Sequence, residues 1–329
     1  MTGIAISKCG LLRSTALAGC LLATLAWSPA MADGTGGNGG NGGGQGGGGN
    51  GAGTSGTGGN GAIAGNGGSG SDGSVAGSGG TGGSPGVDGG DGGVGNSATT
   101  LINDGDSITG GGGGGPQADA IQFTGGANTL ELRAGSAISG TVEAFSADDT
   151  LRLGGNVDSS FDVSGVGQQY QGFGIYEKTG TGAWTLTGST NAVTSWTIDQ
   201  GTLSVSSDAN LGAASGALTF NGGVLQVTGT SFKSTTRTIN WGPGGGSFDI
   251  ADSANTFTVS QALTGQGGLT KLGAGTLTLT GTNTYSGGTF VNSGTLSISR
   301  DAALGDAAGA LTLDGGTLKV TPVALSLYM

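Results

Sequence analysis

Few side chains in this chain could do chemistry, and their spacing limits what they could do. Asp104-Gly105-Asp106-Ser107-Ile108-Thr109 sets a serine behind Gly-Asp, an arrangement that could present a hydroxyl nucleophile for ester hydrolysis. Such a serine needs a general base, and the chain has no histidine. The block therefore reads as a β-turn, with Asp and Gly in their usual turn roles. Asp148-Asp149 beside Arg152 could cleave a polysaccharide if more carboxylates converged on them from neighbouring coils. An Asp pair entering a strand more often closes a turn with its own side-chain hydrogen bonds. Gly67 to Val75 nearly fits a calcium-binding nonapeptide, but Ser74 stands where a large apolar residue belongs and no tandem copy follows. Trp184, Trp196 and Trp241 could form a platform for sugar rings; core packing is the reading favoured here, since Trp184 aligns with apolar Leu277 in a second copy of its surroundings. No catalytic residue, cofactor or metal site is expected.

Composition narrows the field further. The only cysteines, Cys9 and Cys20, lie in the first twenty residues. The rest of the chain has no thiolate or imidazole to hold zinc, copper or haem, and cannot form a disulfide. Glycine supplies 80 of 329 residues, and charged residues only 9%. That much glycine without a Gly-X-Y period signals low complexity or a turn-dense repeat. All 21 acidic residues follow Ala32 while Lys8 and Arg13 precede it, leaving eight basic residues and a charge of −13 beyond that point. An acidic surface argues against nucleic acid, whose binding depends on phosphate neutralisation.

The chain opens as an exported protein does. Lys8 and Arg13 precede an apolar run from Ala16 to Trp27, followed by Pro29-Ala30-Met31-Ala32. Small residues at Ala30 and Ala32 predict signal cleavage before Asp33, so residues 1–32 are expected to be a signal peptide. Leu17-Ala18-Gly19-Cys20 leaves lipidation at Cys20 as the alternative. Residues 33–97 are about half glycine, with no aromatic between Trp27 and Phe123. Such a stretch cannot bury enough apolar area to offset ~1–2 kcal/mol of backbone entropy per residue, so a disordered linker is expected.

From residue 98 onward the elements are strands. Apolar residues alternate in short runs such as Leu130-Glu131-Leu132 and Leu151-Arg152-Leu153, which lie 21 residues apart. Period-two alternation marks strands with one buried face, and the spacing suits one coil of a stacked solenoid. Residues 178–228 align without a gap onto 271–321, with 26 of 51 positions identical. Apolar size is kept at the inward positions Leu186, Leu203 and Val205, which become Leu279, Leu296 and Ile298. A single coil buries three or four large aliphatics worth ~1.5–3 kcal/mol each, too little to order its own backbone. Stacking on neighbours supplies the rest. The expected fold is all-β: a parallel β-solenoid over residues 98–329, with repeat copies near 174–262 and 267–321.

The segment GGLTKLGAGTLTLTGTNTYSGGTFVNSGTLSIS (Gly267 to Ser299), followed by ALGDAAGALTLDGGTLKV, resembles the autotransporter-associated β-strand repeat. YQGFGIYEKTGTGAWTLTG resembles the stretch leading into such repeats in passengers of type V secretion. The resemblance covers residues 97–321. It implies a right-handed parallel β-helix displayed at or beyond the cell surface, with adhesive roles toward a host or neighbouring-cell surface or glycan. It also implies that the repeats aid passenger folding and transport. The matching residues are Lys178, Gly180, Gly182, Leu186, Gly201 and Leu203, then Lys271, Gly273, Gly275, Leu279, Gly294 and Leu296, all structural. The family implies an outer-membrane translocator barrel, which this sequence lacks, and the tail Pro322-Val323-Ala324-Leu325 departs from the first copy's continuation. A fragment, frameshift product or truncated remnant is therefore expected, periplasmic as it stands. The other readings kept open are a carbohydrate-active β-helix and a non-functional remnant.

Overall fold

The computed structural model describes residues 100–110 and 119–321, together with the backbone of 93–95. The expected signal-cleavage residues Ala30, Ala32 and Asp33, Cys20, the nonapeptide-like Gly67 to Val75 and the tail 322–329 lie outside the described residues. Every described strand pairs in parallel, and the chain winds as a β-solenoid of about nine turns. Among the described residues there is no α-helix, only 3-10 turns such as Asp208–Leu211 and Asp301–Ala303. None is long and apolar enough to cross a membrane.

Two long sheets carry the winding. A seven-stranded sheet stacks Thr100–Asn103, Thr129–Leu132, Thr150–Leu153, Ile175–Lys178, Trp196–Ile198, Leu218–Phe220 and Ile239–Trp241. An eight-stranded sheet runs from Ser159–Asp162 to Leu311–Leu313, and a four-stranded sheet stacks Thr256–Val259, Thr276–Leu279, Thr295–Ile298 and Thr317–Val320. Leu130 pairs with Leu151 and Leu132 with Leu153, so the 21-residue spacing is one rung-to-rung step. A further four-stranded sheet begins with Gly93–Gly95, which pairs with Ile121–Phe123 and lies just ahead of the start expected from sequence.

The alternating pattern follows from the pleat. In Thr276–Leu279, Leu277 and Leu279 are buried while Thr276 and Thr278 face outward, and the same holds for most rungs. Aromatic residues thread the interior: Phe220 lies 5.0 Å from Trp241 and 4.9 Å from Phe248, ring centre to ring centre. Each rung leaves its backbone groups and one apolar stripe for the next to complete, which is why the fold needs repetition.

The two matched blocks keep identical internal register. Leu203 pairs with Leu225 and Val205 with Val227, just as Leu296 pairs with Leu318 and Ile298 with Val320. They do not occupy the same sheets. The Lys178 strand belongs to the seven-stranded sheet, whereas the Lys271 strand joins the eight-stranded one through Phe248. The second block is thus displaced by one face around the axis. The intervening segment near Gly265 passes over Trp241, whose Nε1 donates to the Gly267 carbonyl at 3.2 Å, and takes up the side the first block had used. Ser286 N then donates to Gly265 O at 3.0 Å as the next coil stacks on it.

Candidate functional site

The repeat residues build two stacked turns around a buried ammonium. Lys178 sits at the end of its strand, fully buried, and its Nζ donates to the carbonyls of Thr179 (2.6 Å), Gly180 (2.8 Å) and, one coil on, Gln200 (3.1 Å). Lys271 repeats the arrangement with the carbonyls of Leu272, Gly273 (2.8 Å) and Ser293 (3.3 Å). An ammonium has three N–H donors and no acceptor, so three carbonyls satisfy it fully. Burial pushes each lysine down to about 8, opposed by Asp158 near the first and Asp249 near the second. The structure brings together within each block the residues the sequence singled out. Gly201 has φ +62, and a Cβ there would lie 2.4 Å from Gly180 O and 2.8 Å from Lys178 Nζ. Gly294 repeats this against Gly273 and Gly275. Leu186, Leu203, Leu279 and Leu296 fill the apolar column beneath.

The residues considered for catalysis are placed otherwise. Asp149 is completely buried. Its Oδ1 accepts from the backbone N–H of Asn128 at 2.7 Å, and its Oδ2 accepts from that of Phe145, also at 2.7 Å. The Asn128 amide reaches both oxygens. This carboxylate clamps one coil to the next. Asp148 lies beside Ser146 on the surface, and Arg152 pairs not with it but with Glu177 at 2.8 Å and Glu131 at 3.6 Å. Around Asp104 to Thr109, Asp106 N donates to Asn103 Oδ1 at 2.9 Å and Gly105 takes φ +90, so a turn hands the chain to the Ser107–Thr109 strand. The three tryptophans are buried, as the favoured core reading expected, and form no platform for sugar rings. Trp184 spends its N–H on the Gly154 carbonyl at 2.9 Å.

Sequence reasoning missed Arg237. This fully buried guanidinium forks onto Asp208, Nε to Oδ1 at 3.0 Å and Nη2 to Oδ2 at 3.1 Å. It also donates to the carbonyls of Gly212 and Ala213, each at 2.6 Å, and of Gly216 at 3.2 Å. The pair joins residues 29 apart, both outside the strands and separated by two of them, so nothing local marks it.

The outer walls carry what the interior does not use. On the seven-stranded sheet Glu131, Arg152 and Glu177 align in register, and Arg133 bridges Glu131 and Asp104 at 2.8 and 2.9 Å. A cleft of about 420 Å³ opens there, with Asn156, Val157 and Thr179 on its sides. The second four-stranded sheet sets Thr256, Thr276, Thr295 and Thr317 in one outward column, with Thr258, Thr278, Ser297 and Lys319 in the next. Rungs stand ~4.8 Å apart and alternate residues ~6.6 Å apart, so this wall is a regular grid of hydroxyls.

Comparison with known proteins agrees with this architecture. Residues 177–205 and 269–298 match the Passenger-associated-transport-repeat family, and those spans hold both buried lysines and their stacked glycines. Over 53 residues, 16% of the chain, the sequence is 55% identical to the adhesin BmaC autotransporter of Brucella suis biovar 1 (strain 1330). The match spans only 2% of that protein's length. No solved structure matches the chain. Two transport repeats, stacked on one parallel solenoid, make this chain similar to the passengers of autotransporters.

Proposed function

We propose that the chain is a non-enzymatic adhesive segment, held by its solenoid so that a rigid polar wall meets a host or neighbouring-cell surface. The observation carrying this is the partition of its polar side chains. Asp149, Arg237 and both lysines are spent on carbonyls, amides and carboxylates inside the fold, while hydroxyls and carboxylates line the outside in columns. A grid of that kind offers many weak, evenly spaced contacts, which suits adhesion by avidity rather than turnover at one centre. The similarity to an adhesin autotransporter supports the same reading.

Within this proposal the buried-lysine turns serve folding and transport. Each repeat closes its own turn and prepares the next, so the solenoid can propagate coil by coil as it emerges.

The test is adhesion of beads coated with the purified chain to epithelial and bacterial cells. Binding should exceed that of beads coated with serum albumin and fall when Thr256, Thr276 and Thr295 are changed together to Glu. Equal binding by all three would sink the adhesive reading. Release of reducing ends from polysaccharides by the purified chain would overturn the non-enzymatic part.

A further inference from the structure

The outer wall of the solenoid is broken between two neighbouring rungs inside its body. Ser107–Thr109 pairs with Ala137–Ser139 in a two-stranded sheet that goes no further. The strand of the next rung, Ser159–Asp162, does not extend that sheet but begins the eight-stranded one by pairing with Ala183–Thr187. Ile138 O accepts from a side chain instead, Gln169 Nε2 at 2.6 Å. A cleft of about 250 Å³ lies in the break, with Ser136 and Ile138 on one side and Ser159 to Asp162 on the other.

Arg133 stands where this cleft meets the larger one beside Asn156 and Val157, and it lines both. Its Nε and Nη1 are spent on Glu131 and Asp104, which leaves Nη2 for a ligand. Tyr170 lines the smaller cleft, only 9% exposed, with its ring 5.3 Å from that of Phe161. Its hydroxyl has no hydrogen-bond partner among the described residues, although a phenol so deeply buried ordinarily finds one. Asn156 accepts from the N–H and the hydroxyl of Thr181 through Oδ1 and keeps both Nδ2 donors. Asp162 accepts from Ser164 N through Oδ1 and keeps Oδ2.

Unspent donors and acceptors thus alternate with small apolar patches, Val157 at 65% exposure in one cleft and the Tyr170 ring in the other. A sugar matches that mixture, since each hydroxyl both donates and accepts and the ring presents C–H groups between them. Charge counts against an anion, because Asp104, Glu131 and Asp162 outnumber the one lining guanidinium. Clefts of about 420 and 250 Å³ side by side reach the size class that takes a ligand of several rings.

We infer that the two clefts flanking Arg133 form one binding site for a neutral oligosaccharide of two or three pyranose rings. Nη2 of Arg133 donates to a hydroxyl at the centre, Asn156 Nδ2 holds one end, and the Tyr170 hydroxyl and Asp162 Oδ2 hold the other. The inference rests on the adhesive reading for its use, naming a glycan as what is held, and the hydroxyl columns take no part in it.

The test is isothermal titration calorimetry of the full chain with maltotriose, cellotriose, mannotriose and triacetylchitotriose, and with trigalacturonate as the acidic counterpart. At least one neutral probe should saturate a single site per chain, and trigalacturonate should not. Tyr170→Phe keeps the ring and removes the hydroxyl, and Asn156→Ala changes an exposed side chain; each should weaken binding about threefold to tenfold. The variant with Thr256, Thr276 and Thr295 changed to Glu should bind sugar as the parent does. No cell enters the titration, so adhesion can fail while sugar binds, and sugar can fail to bind while coated beads still adhere. No saturation by any neutral probe, equal binding of trigalacturonate, or an unchanged affinity in either single variant overturns the inference.

Discussion

Lys178 and Lys271 stand 93 positions apart, in different sheets, yet each buries its ammonium against two carbonyls of its own turn and one of the next coil. The pattern travels with the local sequence and not with the side of the solenoid. Each lysine is therefore a fastener between successive turns that any face can accept.

Removing that fastener should cost more than its own contacts. Lys178→Met fills the space but strands three carbonyls without donors, and a destabilisation of about 2–4 kcal/mol is expected. Urea unfolding at pH 7 measures it. Lys271→Met should match it, and a loss below about 0.5 kcal/mol at both would show the carbonyls to be satisfied by solvent.

Buried ionisable groups shape the alkaline limb of stability. The lysines fall to about 8 when folded against an ordinary 10.5, so between those values the unfolded chain binds more protons and stability rises with pH. Burial raises Tyr170, Tyr176 and Tyr285 to about 12 from 10.0, so their contribution is whole below pH 10 and is lost toward pH 12. The urea midpoint should climb from pH 8 to about 10 and then decline. The double variant Lys178→Met, Lys271→Met should lose the rising limb and keep the falling one.

Two glycines of the same backbone conformation separate strain from stacking. Gly201 and Gly229 have φ of +62 and +64, but a methyl on the first would strike Gly180 O whereas nothing lies within 4 Å of the second. Gly229→Ala should cost about 1–2 kcal/mol, the ordinary penalty of the left-handed region. Gly201→Ala should cost clearly more. Thermal unfolding of the two variants gives the difference, and equal losses would show that the turns have room to part.

Buried Arg237 and half-buried Asp208 should behave as one unit. Asp208→Asn is expected to cost about 3–5 kcal/mol, since it leaves the guanidinium charge unpaired inside, and Arg237→Gln less, since Asp208 stays partly solvated and still accepts from Thr235. The double variant should cost much less than their sum. Additive losses in a double-mutant cycle would mean that the carbonyls, not the carboxylate, hold the guanidinium.

Asp149→Asn addresses catalysis and structure together. With both carboxylate oxygens engaged by backbone N–H groups, the change should destabilise by about 1–3 kcal/mol, while Asp148→Asn at the surface stays within about 0.5. Urea midpoints of both variants decide it; near-equal values would remove the clamp.

Much of the architecture was legible because the solenoid writes itself in short range. Alternation at Leu130, Leu132, Leu151 and Leu153 and their 21-residue step fixed both the buried face and the rung register. The 93-residue offset likewise foretold equal pairing in the two blocks. Which sheet each block would join was not legible, since that depends on how the segment around Gly265 packs over Trp241, a matter of irregular backbone. The lysines were visible as repeat positions, but their burial was not. A lysine in a Gly-rich turn ordinarily reads as solvated, and only the stacked carbonyls of a neighbouring coil make the interior hospitable to it.

The one-face displacement of the second block also sets the bearings at which like patches look outward. Outward residues shared by the two copies, such as Thr185 and its equivalent Thr278, sit on different sides of the rod. A flat target can touch one patch or the other but not both. Under the adhesive role proposed above, two separate targets lying to either side would each be gripped at once, and duplication would favour cross-linking over tighter hold on a single surface.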